Sequence, residues 1–172
     1  PYVGTLDPKT GSFTEWHINS VPGISDEILS LRDLTFDPDD NVWFPLRILS
    51  GDVMARFDVK THQIATVPNY RSGQFITNGD GNVWVAHGTQ CTRINPKTMM
   101  VEARWDWNKA PNKPADACCS YQGVIDKNGN GYMGVMNYVV ALNAKTGNMK
   151  WVPVPTKWAL PRRGVHDAIR RS

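Results

Sequence analysis

The chain has 172 residues, of which 41% are apolar and 20% charged, with a formal net charge of +3. That composition excludes a disordered polymer, and the charge is too small to point to nucleic acid. No stretch approaches the ~20 consecutive apolar residues of a membrane span.

Taken in order, the chain reads as short extended runs separated by Asn, Asp and Gly turns. Tyr2–Asp7 and Phe13–Ile18 form the outer two strands of a partial unit over 1–19. Asn19 to Arg32 is a connection rich in Ser, Pro and Gly, with one helical turn expected over Asp26–Leu31. A full unit over 34–67 contains Leu34–Asp37, Val42–Leu46, Val53–Asp58 and Gln63–Val67. A second, over 75–106, contains Phe75–Asn78, Val83–His87, Cys91–Asn95 and Val101–Asp106. An insertion rich in Pro and Lys occupies 107–122. The third unit, over 124–154, runs Val124–Asp126, Gly131–Val135, Val139–Asn143 and Met149–Val154. Residues 164–172 begin a further unit, with Gly164–Ile169 as its first strand.

These units repeat. Asp40-Asn41-Val42-Trp43-Phe44 returns as Gly81-Asn82-Val83-Trp84-Val85 and again as Gly129-Asn130-Gly131-Tyr132-Met133. A second turn, Leu6-Asp7-Pro8-Lys9-Thr10-Gly11, returns around Asp58, Asn95 and Asn143. A period of roughly 40–50 residues with four strands in each unit is that of propeller blades. One such sheet cannot bury both faces alone, so adjacent blades must cover each other. The expected fold is an all-β propeller of four-stranded antiparallel blades, with about half of the ring present. The register predicts a piece of a longer chain, whose partners are the remainder of the same propeller or a larger complex.

In such a fold the blade-to-blade links and the loops between second and third strands share one face. Loops on a rigid scaffold carry function. The candidates for ligand or partner contact on that face are Arg32, Asp33, Arg47, Gln74, His87, Tyr121, Gln122, Asn137, Tyr138, Arg162 and Arg163, with Asp116 in the insertion. Arg32 and Asp33 are either a simple ion pair or an Arg fork for a carboxylate. His87 and His166 are the candidate bases or metal ligands, against the plainer reading of loop histidines with backbone partners. No spacing for a zinc site is present. Cys118 and Cys119 are either free thiols, partners of another cysteine such as Cys91, or a strained disulfide between neighbours. The Asp-Pro-Lys-Thr-Gly turns lie on the opposite face and are explained by turn geometry.

The run Lys127–Thr156, continued by Ala159-Leu160-Pro161-Arg162-Arg163-Gly164-Val165-His166-Asp167, resembles the virginiamycin B lyase (streptogramin lyase)-like propellers. Phe36-Asp37-Pro38-Asp39-Asp40-Asn41-Val42-Trp43-Phe44 and Ala55-Arg56-Phe57-Asp58-Val59-Lys60-Thr61 resemble them too. The resemblance implies a seven-bladed ring and, for the true lyases, Mg-assisted opening of a cyclic depsipeptide by elimination. The blade starts here carry Arg32-Asp33, Gln74-Phe75, Gln122-Gly123 and Arg162-Arg163 in place of the lyase's His-Gly-Ile. No catalytic residue of that family therefore transfers to this sequence.

A local resemblance to the quinoprotein alcohol dehydrogenases spans Cys118-Cys119 and Ala141-Leu142-Asn143-Ala144-Lys145-Thr146-Gly147 with Trp151. It implies a vicinal disulfide packed on pyrroloquinoline quinone. The expected function is a binding or scaffold propeller of a secreted or periplasmic protein. The alternatives are a metal-assisted lyase and, behind it, a quinone-dependent oxidoreductase.

Overall fold

A computed structural model of the chain describes residues 2–18, 21–25, 27–71, 73, 75–156 and 159. Among these described residues, fifteen strands and one short 3-10 helix make up the regular structure. β1 (Tyr2–Leu6) and β2 (Phe13–His17) form a two-stranded antiparallel sheet. Blade one holds β3 (Ile28–Leu31), β4 (Thr35–Phe36), β5 (Val42–Ile48), β6 (Gly51–Phe57) and β7 (Ile64–Thr66). Blade two is β8 (Phe75–Asn78), β9 (Val83–His87), β10 (Gln90–Asn95) and β11 (Met100–Asp106). Blade three is β12 (Ser120–Ile125), β13 (Asn130–Val135), β14 (Tyr138–Asn143) and β15 (Met149–Pro153). Each blade pairs its strands antiparallel in chain order, and the whole is an arc of a β-propeller.

Alternation along the second strands explains the stacking, because successive side chains point to opposite faces of a sheet. Val42, Phe44, Leu46 and Ile48 of β5 pack in one layer with Val3 of β1 and with Ile18, the residue after β2. Trp43, between them, faces the other way into a layer with Ile76, Val83 and Val85 of blade two. Trp84 repeats the step, joining Ile125, Met133 and Val135 of blade three. The core is thus three separate apolar layers, one between each pair of neighbouring sheets. Tyr132 holds the equivalent place on β13, and it is 42% exposed where Trp43 and Trp84 are buried.

The turns before these strands lock the same residues. Asp37 accepts the backbone N–H groups of Asp39 and Asn41, the Asn41 amide, and the Trp43 indole N–H at 2.9 Å. Asp80 accepts from Asn82 N–H and from the Trp84 indole at 2.9 Å. Asp126 holds the third turn through Asn128 N–H, Asn130 N–H and the Asn130 amide.

Two expectations need correction. Residues 28–31 are not a helical turn: β3 pairs with β5, Leu31 opposite Leu46 and Ile28 opposite Ile48. The inner strand of blade one is broken, with Arg32–Leu34 bulging between β3 and β4 opposite Phe44 and Pro45. Pro45 has no N–H to donate, so the ladder cannot run unbroken there. The insertion also ends earlier than 122, because β12 starts at Ser120. A second bulge, between Ser120 and Gly123, had disguised its first half. Gly123 is required at that place, since a Cβ would stand 2.3 Å from both the Met133 sulfur and the Tyr132 carbonyl.

Candidate ligand-binding face

Antiparallel pairing brings the hairpins β5–β6, β9–β10 and β13–β14 to one end of the blades, together with the links between blades. Among the links whose residues are all described, the one from blade two to blade three runs over 107–119 and is held by hydrogen bonds at both ends. Its start is fixed by Trp107 N–H donating to the Thr89 carbonyl at 2.8 Å. The Trp107 side chain is fully buried in the layer between blades two and three, as is Ala117 near the other end. Ser120 returns to the same hairpin, its N–H and hydroxyl both donating to the Gly88 carbonyl.

Between these anchors the link reaches across to blade three. Asp116 accepts the Tyr138 hydroxyl at 2.9 Å and the Asn137 amide at 3.0 Å. Asn137 sits in the two-residue hairpin between β13 and β14 with φ 61, a left-handed conformation that Asn tolerates. Its N–H donates to the Ala159 carbonyl at 2.8 Å, and its carbonyl accepts from Val154 N–H at 2.7 Å. Its side-chain oxygen is buried with no donor among the described residues. These groups and Pro153, Val154, Pro155 and Thr156 line a cleft of about 440 Å³. The Tyr138 hydroxyl, and then the Asn137 amide, hold the Asp116 carboxyl below its ordinary value. The same bond to Asp116 pushes the Tyr138 phenol above its own.

Three of the sequence candidates therefore converge, Asn137 and Tyr138 both donating to the Asp116 carboxylate. The others are placed elsewhere. Arg47 forms a two-point ion pair across the β5–β6 hairpin with Asp52, at 2.8 and 3.1 Å. Asp33 reaches blade two, accepting Ile76 N–H at 3.4 Å, and the Arg32 N–H donates to the Pro45 carbonyl. His87 is an exposed residue at the end of β9, opposite Gln90. Tyr121 is half-buried in the β12 bulge. Gln74, Arg162, Arg163 and His166 lie outside the described residues, as does the side chain of Gln122.

Asp52, Pro153 and Val154 escaped the sequence reading. Asp52 was legible in principle, because a two-residue hairpin sets it directly across from Arg47. Pro153 and Val154 carried no such signal, since only the path of the link brings Asp116 over them.

The groups that the resemblances imply do not fit the described residues. A hard divalent ion needs a set of converging oxygens. Asp33, Asp52 and Asp116 are spread over different parts of the face, each hydrogen-bonded, and no group of three His, Cys, Asp or Glu is close enough for a metal among the described residues. The vicinal disulfide that would pack on a quinone is not formed. Cys91, Cys118 and Cys119 are all free, with Cys118 turned to the Met136 sulfur at 3.9 Å.

A second cleft, of about 500 Å³, runs between β1 and blade one. It is lined chiefly by apolar groups, among them Val3, Leu34, Phe36 and Phe44.

No family model matches the chain, and no curated protein matches it. Among solved structures it is similar to the extracellular domain of BT4673 from B. thetaiotaomicron. In one structure, where that protein is described as a one component system, identity is 12%, the TM-score is 0.59, and the match covers 92% of this chain and 21% of the other. In another, where it is described as a hybrid two component system, identity is 11%, the TM-score is 0.59, and the shares are 94% and 22%. The chain thus spans about a fifth of the length of those structures. At such identity the likeness establishes the propeller fold.

Proposed function

We propose that this arc belongs to a binding propeller that works outside the cytoplasm, with its contact centred on the Asp116–Asn137–Tyr138 cleft. The observation that carries the reading is the link over 107–119. It is pinned to the β9–β10 hairpin at both ends and delivers one carboxylate to the tip of the next blade. Such ordering of a long link builds a recess where a bare blade would present a flat rim. Each Asp116 oxygen has spare acceptor capacity beyond its single bond. Pro153, Val154 and Pro155 supply apolar walls. The ligand class that fits is one with hydroxyl or amide donors on an apolar frame. The extracellular nature of the similar structures supports the compartment. The blade motifs support placing the ring with the virginiamycin B lyase-like propellers.

The test is thermal denaturation against a panel of soluble glycans and of linear and cyclic peptides. A ligand that binds only the folded state raises Tm. The expected result is a shift in the native chain that is lost in Asp116→Ala and Tyr138→Phe, and kept in a variant of the opposite face such as Lys60→Ala. A ligand that stabilises all of these equally would remove the cleft from the function.

A further inference from the structure

The sheet of β1 and β2 is built like the outer half of a blade. Gly11 N–H donates to the Asp7 carbonyl at 2.8 Å, as His62 N–H does to Asp58 and Gly147 N–H to Asn143 in the turns that join third and fourth strands of blades one and three. The Asp7 carboxylate accepts Lys9 N–H, just as Asp58 accepts Lys60 N–H and Asn143 accepts Lys145 N–H. β1 is therefore the counterpart of β6 and β14, whose other edges pair with the second strands β5 and β13. Among the described residues β1 pairs only with β2.

The cleft of about 500 Å³ runs along that open edge, lined by Tyr2 to Leu6 on one side and by blade one on the other. Its floor continues an existing seam, because Val3, Val42 and Phe44 are buried in the layer that joins β1 to blade one. Its wall is uncovered, with Leu34 54% and Phe36 48% exposed. By strand register Leu34 holds the place of Ile76 in blade two, and Phe36 the place of Ile125 in blade three. Ile76 and Ile125 are buried, in the layers that Trp43 and Trp84 enter from the preceding blades.

We propose that this cleft receives an extended segment of second-strand type from the remainder of the ring, laid antiparallel on the open edge of β1 with a tryptophan covering Leu34 and Phe36. Strand addition of this kind draws affinity from main-chain hydrogen bonds and specificity from pockets for alternate side chains. The register follows from the blades. Trp43 lies opposite Arg56 and Trp84 opposite Arg93, each two residues before the turn residue Asp58 or Asn95. The same count sets the incoming tryptophan opposite Thr5. A slip of one residue would turn the indole away from blade one. The cleft shares no lining residue with the one around Asp116.

The experiment is fluorescence anisotropy of a labelled peptide copying residues 79–88, a second strand with its turn, titrated with the chain. The native chain is expected to bind it saturably, one peptide to each chain. Leu34→Asn and Phe36→Asn change side chains that are already half open to solvent, and Asn78 holds the place of Phe36 in blade two. Each should weaken binding by roughly tenfold or more, the worth of burying one large apolar side chain. The peptide with Trp84→Ala should bind the native chain as weakly. Lys145→Ala, in the turn of blade three, should leave binding unchanged. No binding of the peptide by the native chain overturns the proposal. So does equal binding of a scrambled peptide, since the cleft would then be an apolar surface without register. Self-association of the native chain that Leu34→Asn abolishes would give the cleft to a second copy and overturn it too.

Discussion

The indole N–H of Trp43 donates to the carboxylate of Asp37 at 2.9 Å, and both residues are buried. One side chain thereby shapes the turn before a second strand and fixes the aromatic that seals the next blade. Asp80 and Trp84 do the same one blade on, although the intervening turn is two residues shorter.

Asp37→Ala should therefore be among the more damaging polar substitutions in the chain. An orphaned buried donor costs about 1–3 kcal/mol, before the lost turn bonds are added. For a chain of this size each kcal/mol lowers Tm by roughly 2–4 °C. Asp37→Asn keeps one acceptor oxygen and should cost less. Urea denaturation followed by tryptophan fluorescence measures both.

Gly79 approaches the next blade so closely that a Cβ would lie 2.0 Å from the Ile125 carbonyl oxygen. Backbone cannot give way as a side chain can. Gly79→Ala should cost at least the ~1–3 kcal/mol of ordinary overpacking, by shifting blade three against blade two. A variant with unchanged stability would show that the two blades slide freely there.

The Asp116–Tyr138 pair has a pH signature with two edges. The Asp116 carboxyl titrates below its unfolded value because it accepts the Tyr138 hydroxyl and the Asn137 amide. Its contribution is complete above that unfolded value and is lost as pH falls through the folded one. The Tyr138 phenol titrates above its unfolded value because of Asp116, so its contribution is complete below that value and lost as pH rises through the folded one. Asp116→Asn should bring Tyr138 ionisation down towards the ordinary tyrosine range. Ultraviolet absorbance of tyrosinate, read as the difference between native and variant chains, checks this.

The three thiols should separate by reactivity. Cys91 is fully buried, and burial pushes its thiol far above the ordinary cysteine range. Cys118 is also raised, first by the adjoining Cys119 thiol and then by burial. With Ellman's reagent the exposed Cys119 should react first and Cys118 more slowly, and Cys91 only after unfolding. Early reaction of Cys91 would mean that the layer between blades two and three opens readily.

Most of the blade plan was legible because the turns announce it. Asp-Asn-Val-Trp and Asp-Pro-Lys-Thr-Gly fix where second strands start and where third strands end, and β8 and β9 fall on their expected bounds. The misreadings have local physical causes. Ile28–Leu31 lacks a clean alternation, and its partner strand carries a proline where pairing breaks. Trp107 reads as the start of the insertion, yet it is a core residue, buried in the layer between blades two and three as a 3-10 turn follows β11. On the candidate face, Asn137 and Tyr138 could be chosen from topology alone. That Asp116 would be the group joining them depends on the path of a link with no repeat to guide the reading.

The division of the core into three layers has a consequence for how the molecule yields. Each layer is owned by two adjacent sheets, and among the described residues no buried cluster spans the arc. Stability is then close to a sum of neighbour terms, as in a one-dimensional lattice of coupled units. Damage at Trp43 loosens the seam between blades one and two while the seam around Trp84 keeps its own contacts. Amide exchange should accordingly divide by seam, so that a weakened seam marks a fault line along which whole blades part.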